Sequence, residues 1–183
     1  MHKISMTAAL IGASFLITPM VSAQDDDLFN GTYGSLQAGA SVLKIDGTTF
    51  VGPVSENNLS FLAGGTFGYR ATLGQDSPIV VGLEATGNYY SADSDIRLGF
   101  SALAGFKVSA RGLAYLRVGY GKLAFSGNDL DGMTFGGGYE FKLTSDTNIR
   151  LDYKKLNYKD INVLDNAMRY GGHEITSGMV FRF

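Results

Sequence analysis

The sequence predicts an all-β fold: an eight-stranded antiparallel up-and-down barrel that spans a membrane. Three observations carry that expectation. The last eleven residues set Ile175, Met179, Phe181 and Phe183 on one face of a strand and Glu174, Thr176, Gly178 and Arg182 on the other, and they end on an aromatic. The first 23 residues read as an export signal. Between the two, period-two stretches recur, separated by turn residues, and no later segment approaches the 18 apolar residues of a spanning helix.

In the signal, His2 and Lys3 precede an apolar run from about Ala8 to Met20, followed by Val21-Ser22-Ala23. Gly12, Ser14, Thr18 and Pro19 interrupt that run, which falls short of the roughly 20 residues a membrane helix needs. Cleavage is expected between Ala23 and Gln24, giving a signal peptide at 1–23, a short periplasmic segment at 24–31 and a barrel at 32–183. The 160 residues after the signal carry 14 Lys and Arg (15 less Lys3) against 17 Asp and Glu, a net charge near −3 that argues against a nucleic-acid partner. Without cysteine there is neither a disulfide framework nor a thiolate metal site. Gly at 25, Pro at 3, and 22 Tyr and Phe with no Trp suit many strands and tight turns.

Each strand follows from alternation. The first, Thr32 to Leu43, sets Leu36, Ala38, Ala40 and Val42 against Ser35, Gln37, Gly39 and Ser41. The second, Leu59 to Leu73, opposes Phe61, Ala63, Phe67, Tyr69, Ala71 and Leu73 to Gly64, Thr66, Gly68, Arg70 and Thr72. The third, Ile79 to Tyr90, has Val81, Leu83, Ala85 and Tyr89 against Gly82, Glu84, Thr86 and Asn88. In the fourth, Ile96 to Val108, every even position is apolar, opposite Arg97, Gly99, Ser101, Leu103, Gly105 and Lys107. The fifth, Leu113 to Phe125, sets Ala114, Leu116, Val118 and Tyr120 against Tyr115, Arg117, Gly119 and Gly121. The sixth, Met133 to Leu143, opposes Phe135, Tyr139, Phe141 and Leu143 to Thr134, Gly136, Gly138, Glu140 and Lys142. The seventh, Asn148 to Tyr158, opposes Ile149, Leu151 and Tyr153 to Arg150, Asp152 and Lys154, and the C-terminal strand is the eighth. Leu62, Val80, Leu103 and Val180 fall on the polar face, either as local exceptions or as small apolar plugs.

Tight turns at 75–78, 109–112 and 144–147 alternate with more variable links at 45–58, 91–95, 126–132 and 159–172. In a membrane barrel the short turns face the periplasm and the longer loops face outside, which puts both termini in the periplasm.

Alternation alone fits a lipocalin too, with its apolar face turned into a ligand cavity. Charge and residue size favour the membrane. Arg70, Glu84, Arg97, Arg117, Glu140, Arg150, Asp152, Glu174 and Arg182 form a lumen charge network in this reading, with Lys107, Lys142 and Lys154 on the same face. Glycines share that face, where bare backbone leaves room for long side chains in a narrow lumen.

The chain resembles the small eight-stranded outer-membrane family that includes OmpX, the OmpA barrel domain and the outer-membrane immunogenic proteins. The motifs are the signal peptide, G-L-E-A-T-G-N-Y-Y at Gly82 to Tyr90, R-L-D-Y at Arg150 to Tyr153 and G-M-V-F-R-F at Gly178 to Phe183. The resemblance implies a bacterial outer-membrane location, lipid and lipopolysaccharide as surroundings, and a barrel assembly machinery that reads Phe181 and Phe183. It also implies a host-facing surface role with an unnamed ligand. The absence of Trp from the aromatic girdle departs from the family pattern.

The residues offer no catalytic, cofactor or metal assignment. His173 and Ser177 lie four residues apart on one face, too far for a general base and nucleophile, so no lipid A-modifying pairing is read. Asn128 to Gly132 is only a partial match to a calcium loop, and Gly136-Gly137-Gly138 has no helix to cradle phosphate. Acidic residues assigned to the loops, Asp46, Glu56, Asp93, Asp95, Asp129, Asp131, Asp160 and Asp165, could share divalent cations with lipopolysaccharide phosphates. The expected function is a monomeric, non-enzymatic envelope protein with short surface loops; a narrow passive pore, a soluble ligand binder and a lipid A enzyme are the alternatives.

Overall fold

The structure, a computed structural model, describes residues 29–49, 52–74, 77–92, 95–125, 128–158, 161–163 and 166–183. The expected signal peptide and its cleavage point at Ala23 and Gln24 lie outside the described residues. The described strands are β1 Gly31–Thr49, β2 Gly52–Thr72, β3 Ile79–Tyr90, β4 Asp95–Ser109, β5 Gly112–Phe125, β6 Asn128–Lys142, β7 Thr147–Tyr158, β8 Ile161–Val163 and β9 Asn166–Arg182. Every pairing is antiparallel, and β9 pairs with both β7 and β1, which closes the sheet. Because the three-residue β8 pairs only with the loop end of β9, eight strands make the wall, the number the alternation predicts.

Closure has a measurable stagger. Following partners from Gly34 through Phe67, Ala85, Phe100, Tyr120, Met133, Asn157 and Gly171 returns the path to β1 at Lys44, ten residues beyond its start. Such a shear tilts the strands by roughly 35–45° and leaves an eight-stranded interior only wide enough for side chains.

Every outward residue assigned from alternation in β4 is solvent-facing in the isolated protein, from Ile96, Leu98 and Phe100 to Phe106 and Val108. The same holds for Leu83 on β3, Leu116 on β5, Leu151 on β7 and Ile175 on β9. An apolar surface of that extent encircling a protein is lipid-facing.

The tight turns sit where alternation stops. Gly74, at φ +99°, takes the left-handed conformation after β2, where Leu73 N–H donates to Ile79 O at 2.9 Å. In the β6–β7 turn, Thr144 Oγ1 accepts from the Asp146 and Thr147 amides at 3.4 and 3.1 Å. At the chain's C-terminal end, Phe183 N–H donates to Thr32 O at 3.1 Å, so the last residue is tied into the wall.

In three of the variable links the described residues are strand. The β1–β2 ladder continues to Thr49↔Gly52 and the β5–β6 ladder to Phe125↔Asn128, while β8 pairs with β9 inside the stretch read as 159–172. A strand that leaves the bilayer need not keep one apolar and one polar face, so its period-two signal fades although its ladder does not. With 19 and 21 residues against the roughly 9–11 of a tilted membrane strand, β1 and β2 project well past the bilayer as a hairpin. The partial calcium match at Asn128 to Gly132 is likewise part of β6, and Asp95 is a buried first residue of β4 rather than a loop acid.

The interior is layered. At the loop end, Leu62, Tyr90, Leu123, Leu156 and Tyr158 pack together with Leu43 and Tyr170 against them. At the turn end, Phe29, Val80, Leu103, Leu113 and Tyr115 form a second cluster. Leu62, Val80 and Leu103 are therefore plug residues, and Phe29, from the segment preceding β1, is drawn into the mouth of the barrel.

Candidate functional site

Between the two plugs lies the charged middle of the lumen. On β3, Glu84 is met from three other strands: Arg150 Nη2 at 2.7 Å, Arg117 Nη2 at 2.9 Å and Arg70 Nη2 at 3.5 Å. Arg70 Nη1 also pairs with Glu140 at 2.8 Å, and Asn148 Nδ2 donates to the other oxygen of Glu140 at 2.6 Å. Asp152 takes Arg150 Nε at 2.9 Å and Arg117 Nη2 at 3.2 Å. Three arginines thus face three carboxylates, a balanced set in which each charge has more than one partner.

Tyrosines complete this cluster. The Tyr115 hydroxyl donates to Asp152 Oδ1 and accepts from Arg150 Nε, both at 2.5 Å, and the Tyr33 hydroxyl donates to Glu84. Arg70 lies 4.0 Å above the Tyr33 ring, and Arg150 and Arg117 lie 5.0 and 5.5 Å from the Tyr115 ring. Glycines admit these side chains. A Cβ on Gly68 would stand 2.6 Å from Tyr33 Oη, and one on Gly138 would meet Tyr115 Oη and Asp152 Oδ1.

A second cluster sits nearer the loop end, around Glu174 on β9. It takes Lys154 Nζ at 2.7 Å, the Tyr90 hydroxyl at 2.8 Å and Arg97 Nη1 at 3.4 Å. Asn88 Nδ2 donates to Glu174 at 3.5 Å and its Oδ1 accepts from Gln37 Nε2 at 2.7 Å. Arg182 stands apart from both clusters, at the turn end, where its Nη2 donates to Asn30 O at 2.7 Å. Of the nine residues assigned to the lumen network, the structure therefore brings together eight, in two groups.

Tyr33, Tyr90 and Asn148 also belong to these groups, although the sequence reading assigns them no face, and Lys154, read on the lumen face, joins the second. Alternation carried the signal: Tyr33 precedes inward Ser35 by two residues, and Tyr90 follows inward Asn88 by two. Contacts from β5 and β7 onto Glu84 of β3, and from Arg70 of β2 onto Glu140 of β6, cross the lumen, so these side chains fill it rather than line it.

On the outer surface, His173 stacks on Tyr153, with ring centroids 5.9 Å apart and the Tyr153 hydroxyl 2.6 Å from His173 Nδ1. Its partner is thus a neighbouring tyrosine and not Ser177. Phe181 and Phe183 lie on the outward face at the turn end of β9. Among the described residues, no three His, Asp or Glu side chains are grouped to hold a metal ion.

Comparison with known proteins agrees with this architecture. A family model described as "Outer membrane protein beta-barrel domain" matches residues 8–183. Among solved structures, Neisserial surface protein A is 15% identical, with 82% of this chain and 97% of that chain covered and a TM-score of 0.50. The N-terminal β-barrel domain of Pseudomonas aeruginosa OprF is 13% identical, with 79% and 97% covered and a TM-score of 0.50. No curated protein sequence is similar enough to be matched.

Proposed function

The chain belongs to the outer membrane protein β-barrel domain family and resides in the bacterial outer membrane, and from that premise we propose that it is a non-enzymatic, monomeric wall-and-surface protein. Its barrel contributes to envelope integrity among outer-membrane lipids and lipopolysaccharide, and its hairpins present a surface for contact with a host or neighbouring cell. The observation that carries this reading is the filled lumen: two apolar plugs enclose charges that pair from opposite walls. A barrel so filled acts as a wall element rather than a wide channel.

In the same reading the signal peptide is removed between Ala23 and Gln24, and the assembly machinery recognises the β9 end through Phe181 and Phe183. Their outward position leaves both rings accessible before the strand is sealed against β1. The test is conductance in a planar lipid bilayer together with the permeability of cells lacking the protein. The reading expects no porin-sized conductance steps, and an increased sensitivity to detergent that the wild-type protein restores. Large stepwise currents would replace it with a pore. Deleting Phe183 is expected to lower the folded fraction on unboiled gels more than shortening the β1–β2 hairpin does; equal yields would remove the assembly role.

A further inference from the structure

We propose that the middle of the lumen binds one small monatomic anion, of the size of chloride, between the two charge clusters. A cavity of about 20 Å³ lies there, lined by the cationic side chains of Arg97, Arg117 and Lys154 and by the hydroxyls of Thr86, Ser101 and Thr134. No carboxylate lines it. Glu174 reaches Arg97 and Lys154, and Glu84 and Asp152 reach Arg117, so these acids are engaged by the cations, and the rest of the lining is Asn88, Gly99, Phe100 and Tyr120.

Donor capacity is left over at that point. The Nε atoms of Arg97 and Arg117 are buried and make no hydrogen bond to protein, in residues only 7% and 5% exposed. A buried guanidinium donor without a partner is costly, and an anion accepts from several donors at once. Size narrows the ligand further. One water-sized particle needs at least roughly 10–15 Å³ of space, so a cavity of about 20 Å³ suits a single-atom ion better than phosphate or sulfate.

Glycines stand in and beside the wall of the cavity. Gly99 lines it, a Cβ on Gly121 would stand 3.1 Å from Arg97 Nε, and a Cβ on Gly119 would stand 2.8 Å from Thr134 Oγ1. A larger residue at either position would press on a lining side chain and on the neighbouring backbone, Leu98 O beside Gly121 and Phe100 O beside Gly119. The site differs from a general basic patch in that its three lining cations are buried.

The experiment has two parts. Crystals of the purified barrel grown in sodium bromide should give an anomalous peak within hydrogen-bonding reach of Arg97 and Arg117. Separately, the temperature at which unboiled gel mobility is lost should rise and then level off as chloride replaces gluconate at constant ionic strength, because a ligand bound only to the folded state stabilises it. Thr134→Val, which keeps the side-chain shape, and Gly121→Ala should both flatten that response while retaining heat-modifiable mobility. Should Gly121→Ala fail to fold, Thr134→Val and the bromide peak still decide. Absence of a bromide peak, with water refined in the cavity, or equal midpoints in chloride and gluconate, would overturn the proposal, as would a full chloride response in Thr134→Val.

Discussion

On β4, Leu98, Phe100 and Phe106 face the bilayer while Arg97 and Leu103, their immediate neighbours, are buried in the lumen, and the two faces obey different rules. Outside, any sufficiently apolar residue satisfies the lipid, and a specific contact such as the Tyr153–His173 pair joins only two residues. Inside, Glu84 alone serves Arg70, Arg117 and Arg150, so each member fixes the state of several others. The outer face is a sum of independent burial terms; the inner face is one coupled object, in which loss of a member strands its partners.

Removing the hub should break the molecule most. Glu84→Ala leaves three buried guanidinium groups short of a counter-charge and is expected to cost about 3–5 kcal/mol in urea unfolding from bilayers. A cost no larger than that of an outward Leu→Ala would show that the network is not coupled. On the lipid face the effect should follow depth rather than identity. Leu116→Arg, in the middle of the outward face of β5, is expected to cost about 2–4 kcal/mol, whereas Leu98→Arg, near the loop end of β4, should cost less, towards about 0–1 kcal/mol. Equal costs at the two positions would argue against a membrane belt.

Subtler changes sharpen the contrast. Tyr115→Phe keeps the ring but removes the hydroxyl shared by Asp152 and Arg150, and should lose about 1.5–3 kcal/mol, the range for hydrogen bonds to charged groups. Tyr153→Phe removes the equivalent group from an exposed outward pair with His173, and should lose only about 0.2–1 kcal/mol. Matching losses would erase the distinction between lumen and surface hydrogen bonds.

The same contrast explains how much of the molecule was legible in the sequence. The faces were readable because lipid and lumen impose opposite residue types at period two, and even Leu62, Val80 and Leu103 stood out as breaks in that rule before they emerged as plugs. The partners of Glu84 were not readable. They depend on the ten-residue stagger of barrel closure, which sets β3 against β5 and β7 across the lumen and which no single strand encodes. Tyr33 and Tyr90 were overlooked because an aromatic residue suits either face, and only its register decides. The strand extensions at 45–49, 52–58 and 128–132 read as loops because ladder hydrogen bonds leave no mark on side-chain pattern once both faces leave the bilayer.

The most direct test uses the absence of native cysteine. Single cysteines placed at each position from Ile96 to Val108 would carry a spin label in lipid bilayers, and collision rates with oxygen and with a water-soluble nickel complex would be measured. The account predicts that even positions collide with oxygen from the lipid, and that odd positions in the middle of the strand are shielded from both probes. Nickel access at the odd positions would mean an open channel, and nickel access along the even positions would mean that the apolar face is not in a membrane.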